Sequence, residues 1–173
     1  MAWITQNSAE PAEKRDEPYL TDALKQELND TYAHRYPTRQ AMSLPVLHAI
    51  QHAHGWLPPQ AMQEAAEFLD VEPTVMYDTA SFYEEYFLQA PGRNVVWVCQ
   101  SVSCEIMNEA AIADAIKDKL GVDDDQTTPD GRVTFKKVEC IGACGGAPCM
   151  LANHTLHENL TPESAVRIVD DLK

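Results

Sequence analysis

Apolar side chains recur at every fourth position between Thr21 and Tyr36, at Leu24, Leu28 and Tyr32. That spacing lines one face of an α-helix. Thr21 offers an N-cap, Asp22 sits in the first turn and Pro37 forbids continuation, so the pattern predicts a helix from Thr21 to about Tyr36. A second helix is expected from Ser43 through His54, with Ser43 as its N-cap, Pro45 in the first turn and Gly55 as its stop. Pro58-Pro59 opens a third, to about Leu69, with Met62, Ala65, Ala66 and Leu69 on one face. Pro73 opens a fourth, short helix ending near Tyr83. Four short amphipathic helices with brief connections predict a small antiparallel helical bundle.

The period changes after Pro91-Gly92. Asn94 to Cys99 holds Val95, Val96, Trp97 and Val98 in succession, the mark of a buried strand. A helix is expected from about Ile106 to Leu120, followed by the acidic loop Gly121-Val122-Asp123-Asp124-Asp125, read as a solvated turn. Arg132 to Val138 and Met150 to Asn153 read as strands. Thr161-Pro162-Glu163 combines an N-cap, a proline at the first helical position and an acid in the first turn, and so starts a helix carrying Ala165, Val166, Ile168, Val169 and Leu172. Strands alternating with helices predict an α/β domain with helices packed on a sheet. The expected organisation is therefore a disordered lead-in over residues 1–18, a helical domain over 19–91 and an α/β domain over 92–173.

Composition narrows the function. The 173 residues are 45% hydrophobic and 23% charged, ordinary for a globular chain with a packed core. Acidic side chains number 27 against 13 basic ones, a net charge of −14. Such a surface repels nucleic-acid phosphates and anionic membranes and favours a protein partner with a basic face. No apolar run approaches the roughly 20 residues that cross a bilayer. Residues 1–18 also lack the apolar stretch of a secretory signal, so a cytoplasmic location is expected.

All five cysteines lie between Cys99 and Cys149. Reducing compartments rarely keep disulfides, so this clustering points to metal or redox chemistry. Cys99 and Cys104 form Cys-x4-Cys where the first strand ends, and Cys140 and Cys144 form Cys-x3-Cys where the next one ends. Two loops leaving neighbouring strands at one edge of a sheet can bring four thiolates to a single site. Four soft ligands suit zinc, a [2Fe–2S] or a [4Fe–4S] cluster. The wide first pair and the small-residue loop from Ile141 to Pro148 favour the bulkier cluster over a zinc knuckle, since glycines let backbone N–H groups approach cluster sulfurs. No Cys-x-x-Cys pair of the dithiol oxidoreductase kind is present. Lys136 and Lys137 read as solvated lysines on a strand edge, and Cys149 reads as a small buried hydrophobe on the strand after the loop, with contact to the cluster's surroundings only as the second reading.

At these residues the sequence resembles a known family. Glu139-Cys140-Ile141-Gly142-Ala143-Cys144-Gly145-Gly146-Ala147-Pro148 is similar to the signature of the small [2Fe–2S] subunit of the NADH-dehydrogenase module of respiratory complex I, NuoE in bacteria. Val98-Cys99-x4-Cys104 resembles its first ligand pair, and Leu44-Pro45-Val46-Leu47, Gly55-Trp56-Leu57, Thr79-Ala80-Ser81-Phe82-Tyr83 and Asn159-Leu160-Thr161-Pro162-Glu163 extend the likeness from about Tyr36 to the C-terminus. The resemblance implies a thioredoxin-like [2Fe–2S] ferredoxin domain preceded by a small helical bundle, with Cys99, Cys104, Cys140 and Cys144 as cluster ligands. It further implies a non-catalytic electron-carrying subunit that docks on a flavin- and NADH-binding partner and exchanges single electrons with the FMN held there. Its place would then be peripheral to the inner membrane, through the complex. The same signature serves NAD-linked hydrogenases and formate dehydrogenases. A zinc-stabilised interaction module and a free-standing ferredoxin are the other readings, and pairing with a second copy is left open. Asn108 stands where the family usually has glycine, and Asn tolerates positive φ.

Nothing else in the sequence rises to a site. His48 and His52 are four apart but lack a His-Glu-x-x-His carboxylate, so packing or solvent-facing roles are expected; His154 and His157 read as loop residues. Trp56, Trp97, Phe82 and Tyr83 read as core or interface aromatics.

Overall fold

The structure, a computed structural model, describes residues 14–173. The chain forms two compact units, Met1–Ala90 and Pro91–Lys173. Of the expected lead-in, residues 1–13 lie outside the described residues. Residues 14–18 run against the helices that follow: the Arg15 backbone N–H donates to Gln60 Oε1 at 2.9 Å, and the Arg15 guanidinium stacks 3.6 Å from the Tyr19 ring.

The first unit is helical. α1 spans Asp22–Tyr32 and is capped by Thr21, whose hydroxyl accepts from Leu24 N at 3.3 Å. It buries Leu28 and half-buries Leu24 and Tyr32. It ends four residues before Tyr36, where Arg35 N donates to Tyr32 O at 2.8 Å in the turn that leads to Pro37. α2 spans Ser43–His54 and ends at Gly55, whose φ of 81° is a left-handed cap. Ser43 is not its N-cap. A 3₁₀ turn over Gln40–Met42 already leads into α2, Ser43 has helical φ/ψ, and its hydroxyl donates back to Gln40 O at 2.6 Å. Thr38 performs the capping, its hydroxyl accepting from Ala41 N at 3.2 Å. α3 (Pro59–Leu69) buries Met62, Ala65, Ala66 and Leu69 as its pattern predicts, and α4 covers Pro73–Phe82. Leu28, Val46, Leu47, Ile50, Leu69 and Met76 meet in one core. Phe82 does not join it: this ring is 78% exposed, with Tyr83 half-exposed beside it.

The second unit is a five-stranded mixed sheet with helices. β1 (Asn94–Cys99) is buried at every position, β2 is Gln126–Thr127, β3 Val133–Val138, β4 Met150–Ala152 and β5 Thr155–His157. The strand order is β2-β3-β1-β4-β5, with β1 and β3 parallel and the other pairs antiparallel. The helix expected from about Ile106 to Leu120 is α6 (Glu109–Leu120), which starts three residues later, and a short helix that the pattern did not predict, α5 (Val102–Ile106), precedes it. Asn108 separates them at φ 65°, the left-handed conformation that its replacement of glycine called for. α7 (Pro162–Asp171) starts at a capping box, the Thr161 hydroxyl accepting from Ser164 N while the Ser164 hydroxyl accepts from Thr161 N. Val96, Ile112, Ile116, Phe135, Met150 and Val169 form the core between sheet and helices.

Two strands escape the sequence pattern. β2 and β5 are two and three residues long, too short for alternation to show. β5 places His157 opposite Met150, so this histidine belongs to the sheet and not to a loop. Lys136 and Lys137 are likewise not free in solvent. Lys136 Nζ pairs with Asp125 at 3.3 Å, and Lys137 Nζ with the buried Glu109 at 3.1 Å, while Asp124 Oδ1 accepts from Lys137 N at 2.6 Å. The acidic loop is thus tied to β3.

Candidate metal centre

The parallel pairing of β1 with β3 aligns Cys99 with Val138, so the two cysteine loops leave the sheet side by side from the same edge. β4 closes the other flank of β1, and its lead-in is fixed there by Cys99 N donating to Cys149 O at 3.2 Å. After β1 the chain turns through Ser101 into α5, which carries Cys104 back over the edge. Three elements therefore deliver sulfur to one place.

Cys99, Cys104 and Cys149 are buried, and their sulfurs all lie within 4.8 Å of one another. Cys104 Sγ and Cys149 Sγ are 3.5 Å apart. Ala147 completes this small cluster, with Ile141 and Ala143 of the second loop packed on it. Cys140 and Cys144 form a second pair at 3.8 Å, exposed at the rim. All five cysteines are free thiols. The four expected ligands thus appear as two pairs on adjacent loops, and the tight group of three sulfurs takes Cys149 in place of the rim pair.

The electrostatics of the three buried sulfurs differ. Burial raises the Cys99 thiol, but backbone N–H groups of Ile141 and Ser101 directed at its sulfur, with contacts from Cys104 and Cys149, outweigh burial and hold it below the ordinary thiol range. Burial, with Cys99 beside it, keeps Cys104 above that range. Burial and then Cys104 push Cys149 up to about 12. Cys99 is therefore the sulfur best prepared to be a thiolate, and one N–H that prepares it belongs to the loop of Cys140.

The loop geometry serves the same end. Gly142 has φ 82°, and Gly146 lies under the side chain of Glu158, where an added Cβ would come within 2.6 Å of Glu158 Cβ. Only glycine fits either place without strain. A set of soft thiols at one sheet edge, with backbone N–H groups aimed at sulfur and no disulfide among them, fits an iron–sulfur cluster in donor chemistry.

Cys149 is the functional candidate that sequence reasoning set aside. Its signal was its position at the head of the strand beside β1, five residues beyond Cys144. The histidines stay outside the site. His48 and His52 are solvent-exposed, and the His48 ring packs 4.9 Å from that of Tyr86. His154 lies 6.4 Å from the Trp97 ring. Trp97 itself is buried in β1, as expected.

An α/β sheet that gathers cysteines at the ends of adjacent parallel strands defines a thiolate-ligated electron carrier or metal protein as a class. The family model for the thioredoxin-like [2Fe-2S] ferredoxin matches residues 29–173, and the chain belongs to that family. Among its relatives, the E subunit of NADH-quinone oxidoreductase from Escherichia coli (strain K12) is 31% identical over 164 residues, covering 95% of this chain and 99% of the relative. The E subunit from Mycobacterium tuberculosis (strain ATCC 25618 / H37Rv) is 39% identical over 139 residues, covering 80% of this chain. The chain spans only 55% of that longer relative. In three dimensions the chain is similar to a crystal structure of NAD+-reducing [NiFe]-hydrogenase in the H2-reduced state. The TM-score is 0.63 at 24% identity, over 73% of this chain and 22% of that one, a likeness of fold.

Proposed function

We propose that this chain is the electron-carrying subunit of an NADH:quinone oxidoreductase. It exchanges single electrons with FMN on a partner that binds flavin and NADH, and it has no catalytic site of its own. The observation that carries the reading is the convergence of the two cysteine loops at the shared end of β1 and β3, in a chain with E-subunit relatives. Cys99, Cys104, Cys140 and Cys144 are the ligands in this reading. When bound, a [2Fe–2S] cluster supplies one-electron redox chemistry.

What the chain contributes is positioning, shielding and docking. Cys99 and Cys104 occupy the buried side of the site, where Ala147, Ile141 and Ala143 exclude water. Cys140 and Cys144 stand at the exposed rim, and a rim ligand faces a docked partner. Val102, Ile106 and Met107, all more than half exposed, give the α5 side of that rim an apolar surface beside the site. The net charge of −14 favours a basic face on the partner. Among the described residues no helix is long and apolar enough to cross a membrane, so attachment to one runs through the complex in this reading.

Anaerobic reconstitution with iron and sulfide tests it. The expected product is red-brown, bleached by dithionite, and bleached by NADH only when the flavin- and NADH-binding partner is present. A colourless, zinc-holding protein would sink the cluster, while a cluster that dithionite reduces and NADH with the flavoprotein does not would sink the subunit role.

A further inference from the structure

The four-ligand reading leaves Cys149 unused, although its sulfur is buried 3.5 Å from that of Cys104. We infer that Cys149 is a reserve cluster ligand, placed to take over the position of Cys104. The inference rests on the four-cysteine reading above and deepens it.

The geometry carries the argument. Metal–thiolate bonds of about 2.3 Å put two sulfurs on one tetrahedral metal about 3.8 Å apart. Cys104 and Cys149 are 3.5 Å apart, and each lies within 4.8 Å of Cys99. A metal held by Cys99 therefore finds either sulfur within reach after small side-chain movement. The two candidates differ in their supports. Cys104 rides on α5, a five-residue helix whose Val102 and Ile106 are 66% and 78% exposed, so little packing holds it down. Cys149 precedes β4, and its carbonyl accepts from Cys99 N at 3.2 Å, which locks it to the central strand. Local opening is easiest where few buried contacts hold an element. When α5 lifts, the sulfur that leaves is Cys104, and the sulfur that remains beside Cys99 is Cys149. Thiolate replaces thiolate: the Fe–S bond to Cys104 breaks, one to Cys149 forms, and the Cys149 proton passes to the departing Cys104 sulfur. No electron is gained or lost.

The test uses the full chain, reconstituted with iron and sulfide, and reads bound iron, visible absorption and the electron paramagnetic resonance of the dithionite-reduced state. Cys104→Ala is expected to keep a thiolate-ligated [2Fe–2S] spectrum, and Cys104→Ala/Cys149→Val to lose at least about tenfold in cluster affinity relative to it. Cys149→Val alone is expected to load like the native chain. If Cys104→Ala loses the cluster as completely as the double variant, or if Cys149→Val alone cannot load, the reserve role is overturned. Should the valine variant prove unfolded by circular dichroism, Cys149→Ser takes its place and is read in the same two ways, a blue-shifted spectrum marking oxygen ligation at that position. A native chain that takes up no cluster would overturn the four-cysteine reading instead.

Discussion

Glu109 shows how one residue can be misjudged from its neighbours in sequence. It opens α6, where an acid favours the helix dipole, and it looks like a surface residue. In the structure it is 4% exposed, its Oε1 is 3.1 Å from Lys137 Nζ, and its Oε2 has no hydrogen-bond partner. Lys137 is thus the cation that makes this burial tolerable, just upstream of Cys140. Removing one member of a buried pair strands the other's charge, so Lys137→Met is expected to destabilise the protein by about 3 kcal/mol. Lys119→Met breaks the pair with Asp170, in which both side chains are roughly two-fifths exposed, and is expected to cost about 0.5 kcal/mol or less. Urea denaturation of the two variants side by side checks the contrast. Equal losses would mean that Glu109 gains nothing from Lys137.

At the scale of elements the break between α5 and α6 decides where a ligand goes. A single helix running from Val102 to Leu120 would leave no separate α5 to carry Cys104 back over the sheet edge. Asn108 makes the break at φ 65°, a conformation costing an ordinary L-residue about 1 kcal/mol. Asn108→Gly is therefore expected to preserve stability and cluster content, and Asn108→Ala to lose about 1 kcal/mol with a lower iron content after reconstitution. Iron assay and thermal melting read both. An alanine variant indistinguishable from the native chain would show that α5 is positioned by something other than this turn. The helix signals themselves were readable where they are chemical: Thr21, Gly55, Pro59, Pro73 and the Thr161 box act at the ends they mark. The expected start at Ile106 missed, because Ile106 closes α5 with its side chain exposed and the next helix begins only after Asn108.

For the whole molecule, the dominant long-range property is its charge of −14. Opposite charge on a partner accelerates encounter and is screened once the Debye length falls from about 10 Å toward about 3 Å. Association with the flavin partner is expected to weaken several-fold as ionic strength rises from about 0.1 M to about 1 M, mainly through a slower on-rate. Stopped-flow or surface-plasmon kinetics across that range checks it, and a salt-independent on-rate would remove the acidic surface from docking.

What the amino-acid sequence determined by itself was local or combinatorial: helix starts and stops, the buried strand Asn94–Cys99, and the cysteine spacing whose chemistry and family resemblance pointed to [2Fe–2S]. Caps, prolines and thiols act through their own atoms or those a few residues away, so spacing records them. The tertiary structure decided what depends on contacts across the chain. The parallel register of β1 with β3, the two short edge strands, the burial of Glu109 against Lys137, and the arrival of Cys149 beside Cys104 join positions up to 45 residues apart. Such meetings follow from how sheet and helices pack, and a single sequence carries no local signal of them.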